Sequence, residues 1–234
     1  MEETCYLCGK KIDKKNRTLD HIPPKQFFPS ALIRKGNIQL ITLPAHKKCN
    51  EYYQKDEEYF RLSIGASACG NPILDGIWED IKRMVGRPKT QSLRLKVFSE
   101  FIKEVRTQSG IILPGIVAKI YDAKRIFRVV WKIIRGFYVI EFSNILPEQT
   151  EHFVSYVQKD TPPVFSGTKL MDLFYVTLLQ EERGNYKEVF WYRYFLSPRK
   201  DFYTWAILFW SRHLFFVFHH MPDCNCGRCE LKQS

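Results

Sequence analysis

Residues 43–50 read Leu-Pro-Ala-His-Lys-Lys-Cys-Asn, and the pair His46-x-x-Cys49 within them answers an earlier pair, Cys5-x-x-Cys8. Two ligand pairs of this spacing let two short turns close a tetrahedral metal site, and on a helix residues three apart share a face. Lone cysteine pairs are common, but a second matched pair argues against coincidence. Four protein ligands leave no open coordination position, so zinc held by Cys5, Cys8, His46 and Cys49 is expected to be structural.

Between the two pairs lies Asp20-His21-Ile22-Pro23-Pro24, at the end of an apolar, β-favouring run, and Asn50 directly follows Cys49. One step along a helix turns a side chain by about 100°, so Asn50 leaves the zinc face and can look across at Asp20 and His21. One oxygen from each of Asp20 and Asn50 suits Mg²⁺ or Mn²⁺, because such ions keep waters and phosphate oxygens as their other ligands. His21, a side chain that titrates near neutrality, can take a proton from an attacking water. A second assignment stays open: His46 and Asn50, four apart, could share the catalytic cation and leave three thiolates to zinc. Asp56, Glu57 and Glu58 read as a solvated helix face, Asn37 has no defined role, and Cys69 reads as an ordinary buried thiol.

The segments CYLCG, TLDHIPP and LPAHKKCN resemble the HNH endonuclease family, over roughly residues 1–60. The resemblance implies a ββα-metal module in which Asp20 and Asn50 bind a catalytic cation, His21 activates water, and Cys5, Cys8, His46 and Cys49 surround zinc. It further implies hydrolysis of nucleic-acid phosphodiesters, DNA favoured over RNA. DHIPPK-type members look like bacterial nucleases of mobile elements or antiphage defence. Two features depart from the family: His46 stands where a cysteine is usual, and the family's middle Asn or His is not plainly placed. The alternative reading is a zinc-stabilised nucleic-acid-binding or effector protein without catalysis.

Composition agrees with a folded chain acting on a polyanion. Of 234 residues, 45% are hydrophobic and 15% aromatic, which argues against disorder. Residues 81–140 hold 14 Lys+Arg against 3 Asp+Glu, an excess equal to the net charge of the whole chain, +11. Such a block favours a nucleic-acid partner through counterion release. The segment MEETCYLCGKK lacks the apolar stretch of a signal peptide, and no run is long enough to span a bilayer, so no membrane partner and a cytoplasmic location are expected. Homodimerisation is compatible with everything in the sequence.

The pattern predicts an α+β chain in three segments: the nuclease-like module (1–62), a strongly basic helical region (63–141) and an antiparallel sheet with a Cys/His-rich tail (142–234). Strands are predicted over 16–22 and 37–43, with a helix opening at Pro44 and reaching about Leu62. Helical spacing marks 72–86 and 90–108. A further helix from Asp122 to Ile140 puts Ile126, Val130, Ile133 and Phe137 on a core face. On it Arg125, Arg128, Lys132 and Arg135 form a second stripe, expected to face solvent or phosphate. Trp131 and Phe127 read as core. The runs HFVSYV, VFWYRYFL, TWAILFW and LFFVF read as strands, the last two pairing around Ser211-Arg212-His213. A second metal set could form in the tail from His220, Cys224, Cys226 and Cys229, beside His219.

Overall fold

The computed structural model describes residues 3–36, 38–65, 72–115, 117–158 and 168–224; Asn37, Cys69, Cys226 and Cys229 lie outside them. Strands β1 (Arg17–Ile22) and β2 (Ile41–His46) pair antiparallel, with Asp20 opposite Leu43 and His21 opposite Thr42. The chain then enters helix α2 (Lys47–Ile64) directly. Pro44 does not open that helix, as expected from the sequence, but pairs with Leu19 inside β2. A two-stranded ribbon is all edge, where proline's missing N–H breaks no ladder, and the Pro44 carbonyl accepts from the Tyr6 N–H at 3.2 Å.

Helix α1 (Ser30–Arg34) lies between β1 and β2 in the chain; α3 (Pro72–Val85) and α4 (Gln91–Ser99) follow α2. The predicted helix over 90–108 stops at Ser99. Glu100 is drawn into a tertiary contact, accepting from the Tyr59 hydroxyl at 2.6 Å, and β3 (Phe101–Ile102) pairs with β4 (Ala118–Lys119).

Helix α5 (Ala123–Phe142) forms as expected, with Asp122 as N-cap accepting from the Arg125 N–H. Its apolar face, from Ile126 to Phe137, is buried in a core that also takes Tyr6 and Phe60 from the first segment and Trp205 and Val217 from the sheet. One core therefore runs through all three sequence segments.

The carboxyl-terminal segment forms a five-stranded antiparallel sheet: β5 (His152–Gln158), β9 (His213–His220), β8 (Phe202–Phe209), β7 (Phe190–Leu196) and β6 (Arg183–Tyr186), in that order. Phe215 and Val217 face the main core. Phe216 and Phe218, pointing the opposite way as alternation requires, join a smaller cluster with Phe174 of helix α6 (Thr168–Leu178). Neither α6 nor β6 was evident in the sequence.

The β8–β9 hairpin turns at Trp210 and Ser211, both left-handed at φ 52° and 55°, the hand that matches strand twist. Trp210 is buried and donates from Nε1 to the Phe27 carbonyl at 2.9 Å. Phe27 stacks on Phe60 with centroids 4.7 Å apart. The sheet thus grips the loop that follows β1. No helix among the described residues is long and apolar enough to cross a membrane.

Asp20 and Ile22 share one face of β1, and Lys132 and Gly136 share one face of α5. Asp20 meets Lys132, and Ile22 lies where a Gly136 side chain would be: a Cβ there would stand 2.7–2.8 Å from three Ile22 atoms. Gly136→Ala is therefore expected to push β1 away from α5. Overpacking costs ~1–3 kcal/mol and helix propensity returns up to ~1 kcal/mol, so denaturant unfolding should show a net loss of about 1–2 kcal/mol. A gain in stability would show that the approach is not tight.

Candidate functional site: a Cys3His cluster and an adjoining polar groove

The ligand atoms of Cys5, Cys8, His46 and Cys49 all lie within 4.8 Å of one another. Cys5 and Cys8 come from a tight turn closed by the Gly9 N–H donating to the Cys5 carbonyl at 2.8 Å, with Gly9 left-handed at φ 70°. His46 ends β2 and Cys49 sits in the first turn of α2. His46 Nδ1 lies 3.3 Å from Cys8 Sγ and 3.9 Å from Cys49 Sγ, while Nε2 lies 3.0 Å from the Lys11 carbonyl. That carbonyl favours a proton on Nε2 and leaves the Nδ1 lone pair for a metal, a common second contact of ligating histidines. His46 therefore groups with the thiols, not with Asn50.

Burial and neighbouring groups act in opposite directions on two of the thiols. Burial, aided by the neighbouring Cys5 and Cys8 sulfurs, pushes the Cys49 thiol up to about 12. For Cys5, burial opposes the thiolate, yet hydrogen bonds from the backbone of His46, Cys8 and Leu7 outweigh it and hold the thiol below its ordinary value. Three sulfurs with one imidazole form a donor set that could bind a metal such as zinc.

Tyr6, between the two cysteines of the turn, is buried and donates from its hydroxyl to Asp20 Oδ2 at 2.6 Å. The metal turn is thereby tied to Asp20, through a residue that the sequence did not single out. Asp20 Oδ2 also contacts Lys132 Nζ at 2.7 Å. Its other oxygen has no protein partner among the described residues.

Lys132 Nζ lies 2.5 Å from Glu57 Oε1 and donates to Asn50 Oδ1 at 3.2 Å, with no solvent exposure of its side chain. Asn50 and Glu57 stand two turns apart on α2, hence on one face. One buried ammonium thus joins β1, α2 and α5. Burial raises the Glu57 carboxyl above its ordinary value, against the pull of Lys132.

Asp20, His21, Asn50 and Glu57 line one open groove of about 260 Å³, with Lys25, Gln26 and Gln54. His21 is half-buried, and neither ring nitrogen has a hydrogen-bond partner among the described residues. Burial first, then the Lys25 charge, hold its pKa below the ordinary histidine value, with Asp20 opposing. A neutral imidazole facing a groove can accept a proton.

Of the basic stripe on α5 only Arg128 is exposed as the sequence leads one to expect; Arg125 is partly buried, and Lys132 and Arg135 are buried. Arg125 Nε and Arg128 Nη1 share the Asp56 carboxylate at 2.6 and 2.7 Å, Lys132 is enclosed, and buried Arg135 donates to the Leu146 carbonyl at 3.4 Å. Asp56 and Glu57 are correspondingly buried rather than solvated. Acids and bases on the facing sides of α2 and α5 consume each other.

At the far end, His220 Nδ1 lies 3.1 Å from Cys224 Sγ, both buried; Cys226 and Cys229 lie outside the described residues. His219 is a core residue, accepting from Trp205 Nε1 at 3.1 Å and stacked on Tyr203.

Compared with known protein families, curated proteins and solved structures, the chain matches none.

Metal analysis of the purified chain should find about one tightly bound ion that depends on this cluster. Cys8→Ser with Cys49→Ser should remove it and lower the melting temperature. A folded, metal-free wild type would contradict the assignment.

Proposed function

We propose that the chain is an HNH-type, metal-dependent endonuclease that hydrolyses nucleic-acid phosphodiesters, DNA favoured over RNA. The observation that carries this reading is the convergence of Asp20, His21 and Asn50 on one groove beside a Cys3His cluster. The order is strand hairpin then helix, with the zinc ligands at the base, as the resemblance of CYLCG, TLDHIPP and LPAHKKCN implies.

The donor set fits a hard divalent cation. Asp20 presents a carboxylate oxygen that no protein group engages among the described residues, and Asn50 presents an amide oxygen with a second lone pair beyond the one given to Lys132. Asp20 and Asn50 would hold Mg²⁺ or Mn²⁺, which when bound stabilises charge on the phosphate and on the departing 3′ oxygen. His21 takes a proton from the water that attacks phosphorus. Tyr6 and Lys132 fix Asp20 through its other oxygen, so the carboxylate enters the reaction already oriented. Lys25 adds positive charge at the groove wall, where it attracts the substrate backbone.

A second reading has its own observation: Lys132 bridges Asp20 and Asn50 with a cation of the protein's own. If that ammonium replaced the divalent ion, the chain would be a zinc-stabilised nucleic-acid-binding protein without catalysis. A bacterial antiphage or mobile-element role belongs to the same resemblance and rests on it alone.

Plasmid nicking separates the two readings. With Mg²⁺ or Mn²⁺, wild type should cut, and His21→Ala should lose on the order of 10²–10⁴-fold in rate, the usual contribution of a general base, while retaining its fold and zinc. Asn50→Ala should be partly rescued by high Mn²⁺. Equal cutting by His21→Ala would move the catalytic site elsewhere, and a wild type inert with every divalent ion would favour the binding reading.

A further inference from the structure

A second cavity, about 470 Å³, opens between the loop after β1, helix α1 and the end of α3. Its charged walls carry six cations (Lys25, Arg34, Arg61, Arg83, Arg87 and Lys89) against two acids, Glu58 and Asp80. Asp80 is already committed. It accepts from the Ser30 N–H and hydroxyl at 2.8 and 2.7 Å, and it pairs with Arg61 at 3.2 Å and with Arg83.

The other four cations, Lys25, Arg34, Arg87 and Lys89, are exposed and form no ion pair among the described residues. They differ in this from Arg125 and Arg128 on α5, whose charge Asp56 absorbs. Arg61 is largely buried, and its Nε has no hydrogen-bond partner among the described residues. Burial, with Arg83 and Arg87 nearby, works against its charge, opposed by Asp80. Like charges gathered in a concave, low-dielectric wall repel one another and focus a field that draws anions in.

Lys25 and Gln26 line both this cavity and the groove that holds His21. The two openings therefore share a wall, and the cations continue from the groove into the cleft.

We infer that this cleft, lined by Lys25, Arg34, Arg87 and Lys89, is the DNA-backbone binding channel that leads substrate to the His21 groove. The inference rests on the nuclease reading for the direction of the path, but binding in the cleft can be measured without cleavage. Contacts here would be to phosphates, so they supply affinity and register without reading base sequence.

The test uses the full zinc-loaded chain and a fluorescein-labelled 20-base-pair duplex, with anisotropy read across a salt series in buffer without Mg²⁺ or Mn²⁺. Arg87→Glu with Lys89→Glu should weaken binding at least tenfold and reduce the slope of log K against log salt by about 2, since each lost phosphate contact removes roughly 0.9. Lys103→Glu with Arg106→Glu, an equal charge change outside the cleft lining, should change affinity less than threefold. Unchanged affinity and slope for the cleft pair, an equal loss for the control pair, or no duplex binding by wild type at low salt would each overturn the inference. A chain that never cuts plasmid yet loses duplex binding through the cleft pair would uphold the channel and defeat the nuclease reading. A chain that cuts plasmid while the cleft pair binds normally would do the reverse.

Discussion

Lys132 is a fully enclosed ammonium, and the rest of the site is arranged around the need to satisfy it. Three acceptors meet it: Asp20 from β1, and Asn50 and Glu57 from α2. Isolated burial of such a charge would be prohibitive, and it is tolerated only where partners surround it. The requirement works in both directions. Two carboxylates as enclosed as Asp20 and Glu57 also need a cation, so strand, helix and core helix are held in one register. A buried ion pair often adds little net stability over apolar packing; here its partners come from three separate elements, so it fixes their placement.

The Cys3His cluster reaches the same point from the other side. Its turn carries Tyr6, and Tyr6 reaches Asp20. Metal binding at the cluster would therefore order the turn and, through one hydroxyl, the carboxylate. The two halves of the candidate site are mechanically one, and the close approach at Gly136 lets α5 come near enough to join them.

Much of this was legible in the sequence because short motifs carry their own geometry. Cys5-x-x-Cys8 and His46-x-x-Cys49 come together as their spacing suggests, and α5 begins at Ala123, capped by Asp122, with its apolar face buried. The aromatic runs at the carboxyl terminus form the antiparallel sheet. What could not be read was which charges find each other across the fold. Arg125 and Lys132 looked exposed because helical periodicity gives a face but not its neighbour, which for these two is the acidic face of α2. The boundary at Pro44 and the short α4 were decided by the edge position of β2 and the tertiary capture of Glu100. The cations after β1 and at the end of α3 are too far apart in sequence to read as one patch; folding gathers them.

If Lys132 is the common counterion, removing its charge alone must leave two enclosed carboxylates without a cation, held only by the neutral donors Tyr6 and Gln26. Guanidinium unfolding of Lys132→Met at neutral pH, alone and combined with Glu57→Gln, measures this most directly. Loss of one partner of a buried pair costs on the order of 3–5 kcal/mol, so the single variant should fall by that amount. The double variant should recover a substantial part. A loss below about 1 kcal/mol for Lys132→Met, or no recovery with Glu57→Gln, would contradict the central place given to this ammonium.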